Sequence, residues 1–215
     1  MDFLAGSIQL LTVMALPFLL AVTLHEAGHA LAAYRLGDPT AKLEGRLSLN
    51  PAVHIDPVGT IVIPLVAILA NFPFLIGYAK PVMIQPRYFK NMRRDMVIVA
   101  LAGPLGNLLV AIFFAIVLKV AISSGASPEG WLFQTAVWGV RLNCLFMVFN
   151  LLPIPPLDGA GVVEQFLPHD VAQSYRSIAP FGFFILMGII LVAQEVITVP
   201  TMLAAEGVLT LVGLA

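Results

Sequence analysis

The sequence predicts an all-α polytopic membrane protein, with about five to six transmembrane or re-entrant helical segments and a short β-ribbon after the first helix. Three observations predict it. Hydrophobic residues make up 60% of the 215 residues and charged residues only 11%, far below the roughly 25% that a water-soluble surface carries. Several runs reach the ~20 apolar residues that cross a bilayer as helix. The 16 prolines and 17 glycines fall partly inside those runs, where membrane helices accept them more readily than soluble ones do.

The elements follow in order. The first candidate span runs from about Leu4 to Leu36 and ends at Gly37-Asp38-Pro39, a clear helix stop. Its start has no basic n-region and no small-residue cleavage site, so residues 4–24 read as retained helix. Residues 40–50 alternate apolar and polar around Gly45, the pattern of a strand pair or extended ribbon. Asn50 to Pro57 is too broken for a helix interior. Residues 58–78 are apolar but interrupted by Pro64 and by Asn71-Phe72-Pro73. Residues 80–94 form a basic loop, and 96–122 a strong span containing Gly103-Pro104-Leu105-Gly106-Asn107. Residues 131–152 span again and end in Pro153, Pro155 and Pro156. Residues 158–176 read as interfacial, 178–198 as a further span, and 201–215 as too short to cross. The whole chain, 1–215, reads as a single membrane-embedded domain with its core at about 10–165 and C-terminal helices at about 176–215.

Charge limits the partners. A net charge of −1 leaves no basic stripe for phosphates, which argues against nucleic acid. Cys144 is the single cysteine, so no internal disulfide forms, and its apolar run predicts burial. Arg35, Lys42 and Arg46 lie in one loop, and Lys80, Arg87, Lys90, Arg93 and Arg94 in the next. Both loops face the cytoplasm if residues 58–78 dip into the bilayer and return, the path that their prolines favour.

The sharpest chemical signal is His25-Glu26-Ala27-Gly28-His29. Residues four apart share a helix face, so two imidazoles can hold one Zn²⁺ while the intervening glutamate reaches a bound water. Ionisable groups inside an apolar helix cost about 2.5–3.5 kcal/mol each on insertion scales, so they are rarely idle. A catalytic zinc site needs a third protein ligand. His54, Asp56, Asp158, Glu195 and Glu206 are the candidates in or beside apolar segments. Asp158 stands out because the prolines before it force the chain out of helix and can turn its carboxylate inward. Its alternative reading is a helix cap.

HEAGH on the first long helix, GPLGN on a later one and NLLPIPPLDG after the next together resemble the site-2 protease family of intramembrane zinc metalloproteases. The resemblance covers roughly residues 10–165. NPAVHIDPVGT and Ala79 to Val82 (AKPV) look like its compact bacterial and archaeal branch, which lacks PDZ and CBS domains. The resemblance implies His25, His29 and Asp158 as ligands of one Zn²⁺ per chain and Glu26 as the catalytic glutamate. It implies Asn150 as a residue that holds substrate or the oxyanion. It further implies transmembrane protein substrates, the lipid bilayer as surroundings, and a prokaryotic inner membrane with the site toward its cytoplasmic half. A homo-oligomer is compatible with the sequence. His54 reads as a site-lining or inhibitory ligand, or as a packed loop histidine. Asn107 reads as a helix-to-helix hydrogen-bonding amide or a substrate contact. The ribbon at 40–50 reads as an interfacial loop or as a template for an unwound substrate strand. Two competing readings are a membrane metal transporter and a catalytically silent homologue that binds membrane helices.

Overall fold

The computed structural model describes residues 2–70, 77 and 79–214 of the chain. Its regular structure is all helical, and no strand occurs among the described residues. Helix α1 (Asp2–Arg35) carries Pro17 within it. It ends where Gly37, at φ 111°, takes the left-handed turn that glycine adopts without a Cβ penalty. The Asp38 N–H then reaches back to the Ala33 carbonyl at 2.9 Å and the Gly37 N–H to Tyr34 at 3.2 Å. These are the two bonds of a Schellman stop.

The β-ribbon expected at 40–50 does not form. Residues Thr40–Leu43 make one helical turn, α2. Gly45, at φ 71°, closes it with bonds from Gly45 N to Lys42 O at 3.0 Å and from Arg46 N to Ala41 O at 2.8 Å. The alternating pattern was thus a helix turn with its own Schellman stop, and its backbone is satisfied locally. The strand-template reading of this stretch falls with it.

Asp56 caps the next turn, accepting from the N–H groups of Val58 and Gly59 at 3.0 and 2.7 Å. A π-type turn over Pro57–Val62 leads into α3 (Ile63–Leu69). Residues 71–76 and 78 lie outside the described residues, and with them much of the re-entrant path expected for 58–78. From Ala79 to Gln85 the described backbone forms no helix. This strap is tied down by Lys80 N to His54 O at 3.0 Å and by Gln85 N to the Asp38 carboxylate at 2.6 Å.

Two long helices complete the body: α4 (Met92–Ser123) and α5 (Trp131–Asn150). Short helices α6 (Asp158–Glu164) and α7 (His169–Arg176) follow, then α8 (Gly182–Val192) and α9 (Glu195–Leu211). Among the described residues, four stretches are long and apolar enough to cross a membrane: Ile8–Arg35, Met92–Ser123, Trp131–Asn150 and His169–Val192. The chain is therefore a helical membrane protein. Leu101, Leu105, Leu109, Ile116 and Val120 are all exposed on α4, a stripe at helical spacing that lipid, and not water, would cover. The span expected at 178–198 differs, because α8 stops at Val192 and α9 restarts at Glu195. Helix α9 returns along the body and buries Val208 with Val110, Ala111, Phe114, Val140 and Cys144.

α1, α4 and α5 form the core of the bundle, antiparallel in sequence along the chain. Their axes approach closely at glycines. A Cβ on Gly106 would lie 2.5 Å from the Leu24 carbonyl oxygen, and one on Gly28 would strike the Ala102 carbonyl. Small residues at such crossings are what allow membrane helices to pack backbone to backbone.

Gly106→Val should destabilise the bundle by about 1–3 kcal/mol or prevent folding, the usual cost of overpacking. Gly188→Val, where a Cβ meets nothing within 4 Å, should leave it unchanged. Denaturant-induced unfolding in detergent separates the two.

Asp38 supplies a pH test. Burial raises its pKa, but hydrogen bonds from Gln85 and Thr40 outweigh that and hold the carboxyl below its usual value. Its contribution is therefore present above the unfolded-state pKa of about 3.9 and is lost as pH falls through the lower folded value. Asp38→Asn should cost about 1.5–3 kcal/mol at pH 7, as loss of a charged hydrogen bond does. The difference from the wild type should shrink in acid, read by thermal unfolding at both pH values.

Candidate metal centre

His25 and His29 lie one turn apart on the face of α1 that meets α4. Their Nε2 atoms are 3.1 Å apart. Asp158 opens α6 directly after the proline-rich turn, and its two oxygens close on the imidazoles. Oδ2 is 3.2 Å from His25 Nε2, and Oδ1 is 3.3 Å from His29 Nε2. The ligand atoms of all three residues lie within 4.8 Å of one another.

The local sequence explains this convergence. Gly103 sits opposite both rings, where a Cβ would lie 2.7 Å from His25 Cε1 and 2.6 Å from His29 Cε1. Gly159 lets the start of α6 press against the end of α5, since a Cβ there would strike the Leu151 carbonyl. Leu157 N donates to Ile154 O at 2.9 Å, which folds the turn so that Asp158 points back toward α1.

The donor set fits a cation. His29 Nδ1 is 2.7 Å from the Val99 carbonyl oxygen. A carbonyl only accepts, so the proton of neutral His29 is on Nδ1 and its Nε2 offers a lone pair. That lone pair faces a carboxylate, and Asp158 Oδ2 is buried with no hydrogen-bond partner. Converging acceptors without a donor are costly in an apolar interior and are satisfied by a metal ion. Two imidazoles and one carboxylate, with room for a fourth ligand, are the protein part of a catalytic zinc site.

Glu26 stands on the neighbouring face of α1, half-buried. Its Oε2 accepts the Val82 N–H of the strap at 3.0 Å. His25, Glu26, His29, Asp158 and Asn150 all line one cleft of about 430 Å³. Within that cleft the Asn150 Nδ2 donates to the Phe146 carbonyl at 3.0 Å.

Two sequence-selected residues lie elsewhere. Asn107 is completely buried behind His25, with its Oδ1 2.8 Å from His25 Nδ1, so it touches a candidate ligand and not the cleft. His54 is also completely buried; its Nε2 is 2.9 Å from the Ser48 carbonyl, and it is not among the cleft-lining residues. Asp56 is occupied as a cap, and Glu195 and Glu206 take no part in the cluster. Sequence reasoning overlooked the Val99 carbonyl, the Val82 N–H and Asn143. The first two are backbone groups, invisible to any motif.

Fold and site together define a helical membrane protein with the ligand set of a zinc metalloprotease. Comparison with known proteins agrees. The chain is 37% identical over 190 residues to the Bacillus subtilis protein named "Putative zinc metalloprotease YwhC", covering 86% of this chain and 83% of the relative. It is 32% identical over 173 residues to "Putative zinc metalloprotease Rip2" of Mycolicibacterium smegmatis, covering 79% of this chain and 63% of that longer relative. No family model and no solved structure matches. The chain belongs to the site-2 protease family.

Gly103→Ala tests the site geometry, because its Cβ would enter the space of both rings. Zinc affinity should fall by at least about tenfold, as for disruption of a ligand's immediate support. Metal analysis of the purified variant beside the wild type reads this, and wild-type affinity would contradict the placement.

Proposed function

We propose that this chain is an intramembrane zinc metalloendopeptidase that hydrolyses peptide bonds of transmembrane helical substrates. The observation that carries the reading is the shared cleft. A glutamate and three converging ligand groups line one opening, and His25 lies ten residues before the charged helix end at Arg35, roughly 15 Å deep along α1.

Zinc held by His25, His29 and Asp158 would act as a Lewis acid and lower the pKa of bound water toward about 7. The residues of the chain do the rest. Glu26 accepts the proton of the attacking water and passes it to the leaving nitrogen. The Val82 N–H holds Oε2 of Glu26, which leaves Oε1 to carry that proton. Asn150, in the same cleft, presents a carboxamide to the carbonyl oxygen of the substrate, where a donor stabilises developing negative charge. Val82, Val99, Ala100 and Ala160 form a buried apolar part of the cleft wall, beside which charges interact more strongly than in bulk water.

The partners proposed are single-span or polytopic membrane proteins, within the bilayer and as a monomer or homo-oligomer. The two basic loops support an orientation with the site toward the cytoplasmic half, and the bacterial relatives support the inner membrane of a prokaryotic cell as its place. A transporter would spread its ligands along a path between repeated halves. Here they meet at one point beside a glutamate that metal passage does not require.

Glu26→Gln should retain zinc and lose cleavage of a membrane-spanning substrate by about 10²–10⁴-fold, the usual weight of a general base. Metal analysis and a cleavage assay on reconstituted protein check the two halves. Cleavage at the wild-type rate would overturn the assignment.

A further inference from the structure

Behind the metal centre lies a pair of carboxamides that reach neither the cleft nor the lipid. Asn107 on α4 and Asn143 on α5 are both 0% exposed. In so apolar a body such groups persist only if their hydrogens are placed. Asn107 Nδ2 donates twice, to the Ala21 carbonyl at 2.9 Å and to Asn143 Oδ1 at 3.3 Å. Asn143 Nδ2 donates to the Gly139 carbonyl at 2.9 Å, which fixes its own oxygen toward Asn107.

The orientation of Asn107 is therefore determined. A half-turn of its amide would aim an oxygen at two acceptors and lose both bonds. Its Oδ1 must face His25 Nδ1, 2.8 Å away. An amide oxygen only accepts, so His25 carries its proton on Nδ1 and a lone pair on Nε2. The alternative tautomer would change the chemistry of the site. A proton on Nε2 could be donated to Asp158 Oδ2, 3.2 Å away, and the cluster would close on itself without a cation.

We propose that Asn143 and Asn107 form a relay across three helices that locks His25 in its Nδ1–H tautomer, making both of them positioning residues of the metal centre. The relay acts through His25 alone and rests on the reading of that centre as a metal site. Partners of this kind typically change metal affinity by about 10–100-fold when removed.

The test uses the full chain in detergent micelles, labelled with ¹⁵N in the histidine rings and stripped of metal, at about pH 8, above the ordinary imidazole range. Long-range ¹H–¹⁵N correlations distinguish the two tautomers. Wild-type His25 should show the Nδ1–H form. Asn107→Leu and Asn143→Leu should move it toward the Nε2–H form, while His54 and His169 keep their signals and report an intact fold. Zinc affinity, measured by chelator competition, should fall by about 10–100-fold in Asn107→Leu and by less in Asn143→Leu. If Asn107→Leu does not fold, Asn143→Leu carries the test. An Nε2–H form in the wild type, or an unchanged tautomer in the folded variants, overturns the relay. An Nδ1–H form in a wild type that binds no zinc supports the relay's orientation and overturns the metal reading instead.

Discussion

Three acceptor groups aimed at one point inside an apolar body are the constraint on which this structure turns. The Asp158 carboxylate and the Nε2 atoms of His25 and His29 face one another at 3.1–3.3 Å, and the buried carboxylate oxygen Oδ2 receives no hydrogen bond. Lone pairs repel, and the low dielectric of a membrane interior sharpens the repulsion. With both rings neutral and protonated on Nδ1, such a cluster does not hold by its own attraction. It must be imposed by the scaffold and relieved by a cation.

The scaffold imposes it with small residues and turns. Gly28, Gly103 and Gly106 let α1 and α4 run backbone to backbone, and Gly103 clears the ground on which the two rings stand. The prolines after α5 end that helix and return the chain as α6, so that Asp158 arrives at the level of the imidazoles from a distant stretch of sequence. The strap of residues 79–85 crosses the same region, anchored at Asp38 and His54, and places one backbone N–H on Glu26. The candidate metal ligands and the group that holds the glutamate thus come from different elements.

Much of this was legible in the sequence. Scarce charge and long apolar runs fixed the fold class, because no aqueous surface could be built from them. His25, His29 and Asp158 could be selected because ionisable groups are rare in such segments and the first two lie at helical spacing. The stretch around Gly45 looks like a ribbon in sequence, since a four-residue helix with a glycine stop alternates much as a ribbon does, and backbone bonds such as Gly45 to Lys42 and Arg46 to Ala41 distinguish them. The break between α8 and α9 is not legible because neither glycine nor proline stands at Ala193 and Gln194 to signal a stop. Asn107 was recognised as an intramembrane amide, but its partner His25 is 82 positions away, and hydrogen-bond direction is not written in composition. The carbonyl of Val99 and the N–H of Val82 carry no side-chain signature at all.

What occupies the point where the three groups meet decides the nature of the site. Zinc K-edge X-ray absorption of the purified, detergent-solubilised chain addresses it most directly. One zinc per chain is predicted, with two imidazole nitrogens and light oxygen scatterers at about 2.0–2.2 Å and the outer-shell pattern of two histidine rings. A zinc shell without that imidazole signature, or protein that retains no zinc, would contradict it.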